Sequence, residues 1–231
     1  MESLKEKALI CGLKLTEEEI KKLENFREIL KKCNREFNLT AICDDEGINE
    51  KHFIDSLLGV EMFTKNSTVA EIGSGGGFPS VPLKIVRDDL SFTLIEATGK
   101  KCRYLEKVIS ELGLKNMTVL NGRAEEIGKD PAYREKFDHA TARAVASLNI
   151  LSEYCMPFVK TGGSFIAYKG NADAEIEEGK NAVKILGGEF GRIKSANLPD
   201  GSERRIIEIL KTGKTPALYP RGNGKERKKP L

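Results

Sequence analysis

The sequence predicts an α/β protein: a doubly wound, mostly parallel sheet of seven strands, preceded by an N-terminal helical extension. Three observations carry that prediction. From Thr68 onward, short apolar runs alternate with helical-period stretches, the pattern of βαβ units. A glycine-rich turn, Gly73, Gly75 and Gly77, joins the first of those runs to a helix start near Pro79. The last two runs are separated by Asp200-Gly201, a hairpin signal that pairs them antiparallel.

Thr16 ahead of Glu17, Glu18 and Glu19 opens the first helix, because a hydroxyl caps free backbone N–H groups and acids oppose the helix dipole. Ile20, Leu23, Leu30, Cys33 and Phe37 then share one side, which packs on the main domain while Lys21, Lys22, Glu24 and Lys31 face water. Phe53, Leu57 and Val60 predict a second helix over His52–Phe63, broken by Asn66 and Ser67. Strands are predicted at Val69–Ile72, Phe92–Ile95, Thr118–Leu120, His139–Thr141, Ser164–Ala167, Phe190–Ala196 and Arg205–Leu210. Of the helices between them, Gly99–Leu112 is best defined: Cys102, Leu105, Ile109 and Leu112 share a face and Gly113 stops it. The chain thus divides into an N-terminal helical extension over 1–66, a main domain over 67–213 and a basic, flexible tail over 214–231.

A chain of 231 residues buries one substantial core and one enclosed site. It has no apolar stretch that could span a bilayer and no signal-peptide core near its start, so a cytoplasmic location is expected. Cys11, Cys33, Cys43, Cys102 and Cys155 are scattered and odd in number, and read as reduced thiols. With two histidines and no HExxH, no metal site is expected. From Lys211 onward seven Lys/Arg face one acid, Glu226, a balance of +6 that leaves −3 for the rest of a chain at +3. Such a tail, YPRGNGKERKKPL, suits neutralising phosphates; the alternative is a solvated, disordered end.

The strongest local signal is VAEIGSGGGFPSVPL, where glycines let the backbone turn tightly and a ligand approach it. A dinucleotide loop would need a third glycine where Phe78 stands, which disfavours a nicotinamide-dependent reductase. A bare structural turn is the other reading. The second strand ends in Glu96, an acid placed to accept ribose hydroxyls, or simply a solvated strand end. Glu125 and Glu126 by themselves are ordinary early-helix acids. Arg143, at the carboxyl edge of the fourth strand, wants an anion: a cofactor carboxylate, an RNA phosphate, or a structural partner such as Glu71 or Asp138. His52, Asp55 and Ser56 do not form a triad, because neighbouring residues on a helix diverge; His52 reads as a structural hydrogen bond to the glycine loop or as an RNA contact.

Taken together, NLTAI from Asn38, HFIDS from His52, EIGSGGGFPSVPL from Glu71, TARAVASL from Thr141 and the YKG ending at Gly170 resemble the ribosomal RNA small subunit methyltransferase G family, also called glucose-inhibited division protein B. The resemblance is close over Asn38–Gly170. It implies the class I S-adenosylmethionine-dependent methyltransferase fold and methyl transfer to guanine N7 in 16S ribosomal RNA, naked or within the small subunit. Nothing in the sequence suggests obligatory assembly, so a monomer without an obligatory protein partner is expected. It implies cofactor contacts at Glu71, Gly73, Gly75, Gly77, Phe78, Glu96, Ala124, Glu125 and Arg143, with Ala124 and Glu125 meeting adenine. Arg123, Lys169, Arg221, Lys225, Arg227, Lys228 and Lys229 are the RNA candidates, and no catalytic base is expected, since N7 carries no hydrogen. The tail is expected to serve RNA and leave the cofactor alone. Rival readings are a methyltransferase acting on a small molecule or protein, and a non-catalytic nucleotide- or RNA-binding module.

Overall fold

The computed structural model describes residues 3–231, so the first two residues of the 1–66 extension lie outside it. The extension holds more helix than the sequence pattern announces. A short helix α1 (Leu4–Ile10) is closed by a reciprocal cap between Ser3 and Glu6. The predicted helix α2 (Glu17–Phe37) has the same device: Glu19 N–H donates to Thr16 Oγ1 at 3.2 Å, and Thr16 N–H donates to the Glu19 carboxylate at 2.7 Å. Its inner stripe is Leu23, Phe26, Leu30 and Cys33, with Ile20 and Phe37 at the margins.

The helix expected over His52–Phe63 sits earlier and is not regular. It starts as α3 (Asp45–Ile48), capped by Asp44, continues through π-helical turns over Asn49–Ile54, and ends as α4 (Asp55–Leu57). Gly59 closes it, because the Tyr168 hydroxyl lies 2.5 Å from where a Cβ would stand. Widened turns at one point in a helix recur at functional sites; here they lie beside the residues that meet Arg143.

The main domain then alternates: β1 (Thr68–Ile72), α5 (Ser80–Val86), β2 (Ser91–Glu96), α6 (Gly99–Leu112), β3 (Met117–Asn121), α7 (Ala124–Ile127), β4 (Phe137–Arg143), α8 (Leu148–Cys155), β5 (Val159–Lys169), α9 (Asp173–Ile185), β6 (Gly188–Asn197), β7 (Glu203–Lys211) and α10 (Lys225–Lys228). All seven expected strands are present in one sheet of order β3-β2-β1-β4-β5-β7-β6. The first five are parallel; β7 pairs antiparallel with both β5 and β6. The strand β5 runs five residues earlier than expected, because Lys160–Gly163 is polar and glycine-rich yet continues the ladder after a register shift against β4.

Both faces of the sheet are covered, as period-two strands require. Val69, Phe92, Leu94 and Ile166 point into a core shared with α2, α5 and α6. Ala70, Ile95, Phe165, Ala167 and Ile207 point into a second core under α8 and α9. Strand order reverses between β1 and β4, and open α/β sheets bind ligands outside the carboxyl ends at such a switch point. No helix among the described residues is long and apolar enough to cross a membrane.

Candidate functional site

At the switch point the chain leaves β1 through Gly73, Gly75 and Gly77, whose φ angles of 72°, 51° and 89° favour glycine. At Gly73 a Cβ would also come within 2.8 Å of Val145. One turn further, Glu96 ends β2 with a buried carboxylate. It accepts Gly75 N–H at 3.0 Å and Thr98 N–H at 2.8 Å, tying the glycine loop to the next helix start. Between these walls lies a cavity of ≈ 260 Å³, lined among others by Gly73, Glu96, Gly122, Ala124, Glu125 and Val145. Four of the nine residues implied as cofactor contacts therefore share one cavity.

The other five do not line it, each for a local reason. Gly75 and Gly77 shape the loop from behind. Glu71 is buried under it, where Oε2 accepts the Ser80 hydroxyl at 2.5 Å and Oε1 accepts Ser80 N–H at 3.2 Å, so it fastens β1 to α5. Burial outweighs those bonds and pushes its pKa up to about 7. Phe78 is a packing platform: His52 stacks on it at 4.4 Å, Phe26 and Phe53 press its edges, and the Arg143 guanidinium sits 4.9 Å from its centroid.

Arg143 faces a second cleft, of ≈ 490 Å³, on the α3–α4 side of β4. Its partner is neither Glu71 nor Asp138 but Asp55, at 2.8 Å, with further donations to Lys51 O at 2.8 Å and His52 Nδ1 at 3.0 Å. Asp55 also accepts Arg204 Nε at 2.8 Å, so one buried carboxylate holds two guanidiniums. His52 Nε2 meets the Thr40 hydroxyl at 2.8 Å. Burial first, and Arg143 second, lower the His52 pKa to about 4. Ser56 donates to the His52 carbonyl instead of the ring, so there is no relay. The helix reaches the glycine loop through the Phe78 ring and not through a hydrogen bond. Lys169 borders the same cleft, fixed to Ala146 O and Glu175, both at 2.6 Å. Arg204, 149 residues from Asp55, carried no motif that would have marked it.

The profile of the family described as GidB, rRNA small subunit methyltransferase G, matches residues 19–207. The chain belongs to this family. It is 47% identical over 222 residues to the ribosomal RNA small subunit methyltransferase G of Acetivibrio thermocellus, covering 95% of this chain and 92% of that one. With its counterpart in Leuconostoc citreum it shares 43% over 227 residues, covering 96% and 95%. Among solved structures, an O-methyltransferase from Bacillus cereus in complex with SAH matches with a TM-score of 0.58 at 16% identity, over 83% of this chain and 91% of that one. A SAM-dependent methyltransferase from Aquifex aeolicus matches at 0.55 and 17% identity, over 80% and 98%. The fold is thus that of class I S-adenosylmethionine-dependent methyltransferases.

The profile of methyltransferase G ends at residue 207, and beyond it the expectation of a free basic tail fails. The Arg221 guanidinium clasps Glu153, with Nε–Oε1 at 2.9 Å and Nη2–Oε2 at 2.6 Å, while Arg221 N–H adds a third contact at 2.8 Å. Glu153 is 1% exposed, so an uncompensated charge there would be costly, and the clasp anchors the segment. Glu226 is equally buried and accepts the Tyr154 hydroxyl at 2.8 Å, and Arg227 Nε donates to that oxygen at 3.3 Å. As a result Gly224, Glu226 and Arg227 line the same cavity as Gly73 and Glu96. The signal available in the sequence was Glu226 itself, one acid among seven cations. Lys225, Lys228 and Lys229 remain exposed, and Arg123, 67% exposed at its side chain, stands at the cavity mouth.

Proposed function

We propose that this protein transfers a methyl group from S-adenosylmethionine to N7 of a guanine in 16S ribosomal RNA. One observation carries the reading: in a chain of the methyltransferase G family, a cavity ending in an acidic ribose acceptor and an arginine-bearing cleft open at the same edge of the sheet.

The cavity residues suit the cofactor. A carboxylate has about four lone-pair sites, and Glu96 gives two acceptor contacts to Gly75 and Thr98, which leaves capacity for a vicinal diol. Gly73 leaves open the space that any side chain would fill. When bound, the cofactor supplies an electrophilic methyl on a sulfonium. The rest falls to this chain: to hold the guanine in line, exclude water and balance charge.

N7 offers an in-plane lone pair, so no proton has to be removed before attack. The cleft agrees with that requirement. The pKa of His52 is held near 4 and its two nitrogens are committed to Thr40 and Arg143, so it serves as a neutral scaffold and not as a base. Arg143 and Arg204 share the single charge of Asp55, and the surplus positive charge suits an RNA phosphate. Arg123 at the cavity mouth and the exposed Lys225, Lys228 and Lys229 suit neutralising RNA phosphates, whereas Arg221 acts as an anchor.

The test is transfer of labelled methyl from S-adenosylmethionine to naked 16S RNA and, separately, to small subunits lacking the modification. Label in either RNA supports the reading and identifies the preferred substrate form. Label in neither, with the protein shown to bind the cofactor, contradicts it.

A further inference from the structure

We infer that Glu226, carried back onto the cofactor cavity by the C-terminal segment, reads the six-position amino group of the cofactor's adenine. The inference rests on the cofactor assignment above and deepens it, because it makes a residue outside the family profile a specificity determinant.

Glu226 lines the cavity and is 1% exposed. Its Oε1 is fixed by the Tyr154 hydroxyl at 2.8 Å. Its Oε2 is buried with no hydrogen-bond partner among the described residues. Buried acceptors are almost always satisfied, so an unpaired one on a residue that lines a cavity points to a ligand donor.

The position along the cavity identifies the donor. Glu96 sits at the ribose end. The segment packs instead on α7: Lys129 Nζ donates to Arg221 O at 3.3 Å, and a Cβ on Gly222 would touch Glu125 Cγ at 3.6 Å. This α7 wall, beginning at Ala124, lies beyond the ribose, where the base must extend. Along the edges of adenine the ring nitrogens accept, and the donor is the exocyclic 6-amino group. An ionised carboxylate is acceptor-only, which matches that group and no other on the base. The Arg221–Glu153 clasp and the Tyr154 bond hold the carboxylate in place before the ligand arrives.

The experiment compares binding of S-adenosylhomocysteine and S-inosylhomocysteine by calorimetry, the second ligand carrying a 6-oxo group and an N1–H where the first has the amine and a bare N1. The wild type is expected to prefer the amine by at least about tenfold, because the oxo group sets acceptor against acceptor in a buried site. In Glu226→Gln the amide nitrogen can donate to the oxo group, so the ratio contracts toward one; in Glu226→Ala the preference also shrinks. Each ratio is taken within one preparation whose folding is checked by circular dichroism, so a general loss of affinity cancels. Any preference that backbone groups at Ala124 and Glu125 impose at N1 is common to all variants, so only the change in ratio reports on residue 226. The wild-type ratio retained in both variants overturns the inference. Failure of the wild type to bind S-adenosylhomocysteine overturns instead the cofactor assignment beneath it.

Discussion

Replacing Arg221 with alanine tests whether the C-terminal segment is part of the site or an ornament on it. The Glu153 carboxylate would lose its guanidinium contacts and keep the backbone N–H of residue 221. Removing one partner of a buried ion pair typically costs about 3–5 kcal/mol. The retained N–H places this case near 3 kcal/mol. The chain has an escape, since undocking residues 214–231 exposes Glu153 to water, so the loss appears as opening of the segment and not as global unfolding. At about 1.4 kcal/mol per decade, 3 kcal/mol raises the open population roughly a hundredfold. Trypsin cleavage at Lys225, Arg227 and Lys228, followed by mass spectrometry at low protease, reads that population directly. S-adenosylhomocysteine affinity should fall in parallel, because the segment supplies part of the cavity wall. Arg221→Lys should be intermediate, as a point charge cannot reproduce the fork. Cleavage within about twofold of wild type, with unchanged affinity, would refute the reasoning.

Three further outcomes follow from the same geometry. Gly73→Val should abolish measurable cofactor binding while leaving the chain folded, since any Cβ there meets Val145 in a left-handed backbone, and calorimetry showing wild-type affinity would remove the cavity from the account. The pH dependence has two opposed contributions. His52, lowered to about 4 from 6.5, binds its proton first in the unfolded chain, so stability is lost as pH falls through that window. Glu71, raised from 4.5 to about 7, binds its proton first in the folded chain, so stability is lost as pH rises between those values. Glu71→Gln removes the second contribution, and its thermal midpoint should fall more steeply than wild type from pH 6.5 to 4.5; parallel curves would contradict this. Finally, alanine at Lys225, Lys228 and Lys229 should reduce the slope of log affinity for 16S RNA against log salt by about three contacts' worth without changing cofactor affinity; an unaltered slope would show that these cations do not meet phosphate.

The sheet was legible because buried parallel strands announce themselves as short apolar runs between helical stretches, and the Asp200-Gly201 turn announced the β6–β7 pairing. Insertion of β7 between β5 and β6 was not, since nothing local to a strand names its second neighbour. Gly73 was readable because a positive φ at a tight turn demands glycine, and Glu96 because an acid closing the second strand stands out at a fixed offset from it; the structure puts both in the wall of one cavity. Phe78 and Arg143 stand where the motifs put them along the chain, yet Phe78 is buried as a packing platform and Arg143 faces the second cleft: a motif gives position, whereas direction depends on Phe26, His52 and Asp55 packing against them. The tail was misjudged for a related reason. Charge density is visible in a sequence, but the partner that neutralises Arg221 lies 68 residues away on α8.

The central claim is the atom that receives the methyl. The direct measurement takes 16S RNA from cells lacking the enzyme, treats it with the purified protein and S-adenosylmethionine, and applies borohydride reduction followed by aniline, which cuts the chain at 7-methylguanosine. Scission is expected at one guanine, appearing only with the protein and disappearing with Gly73→Val. Methyl incorporation into the RNA without scission would place the methyl on another atom and contradict the account.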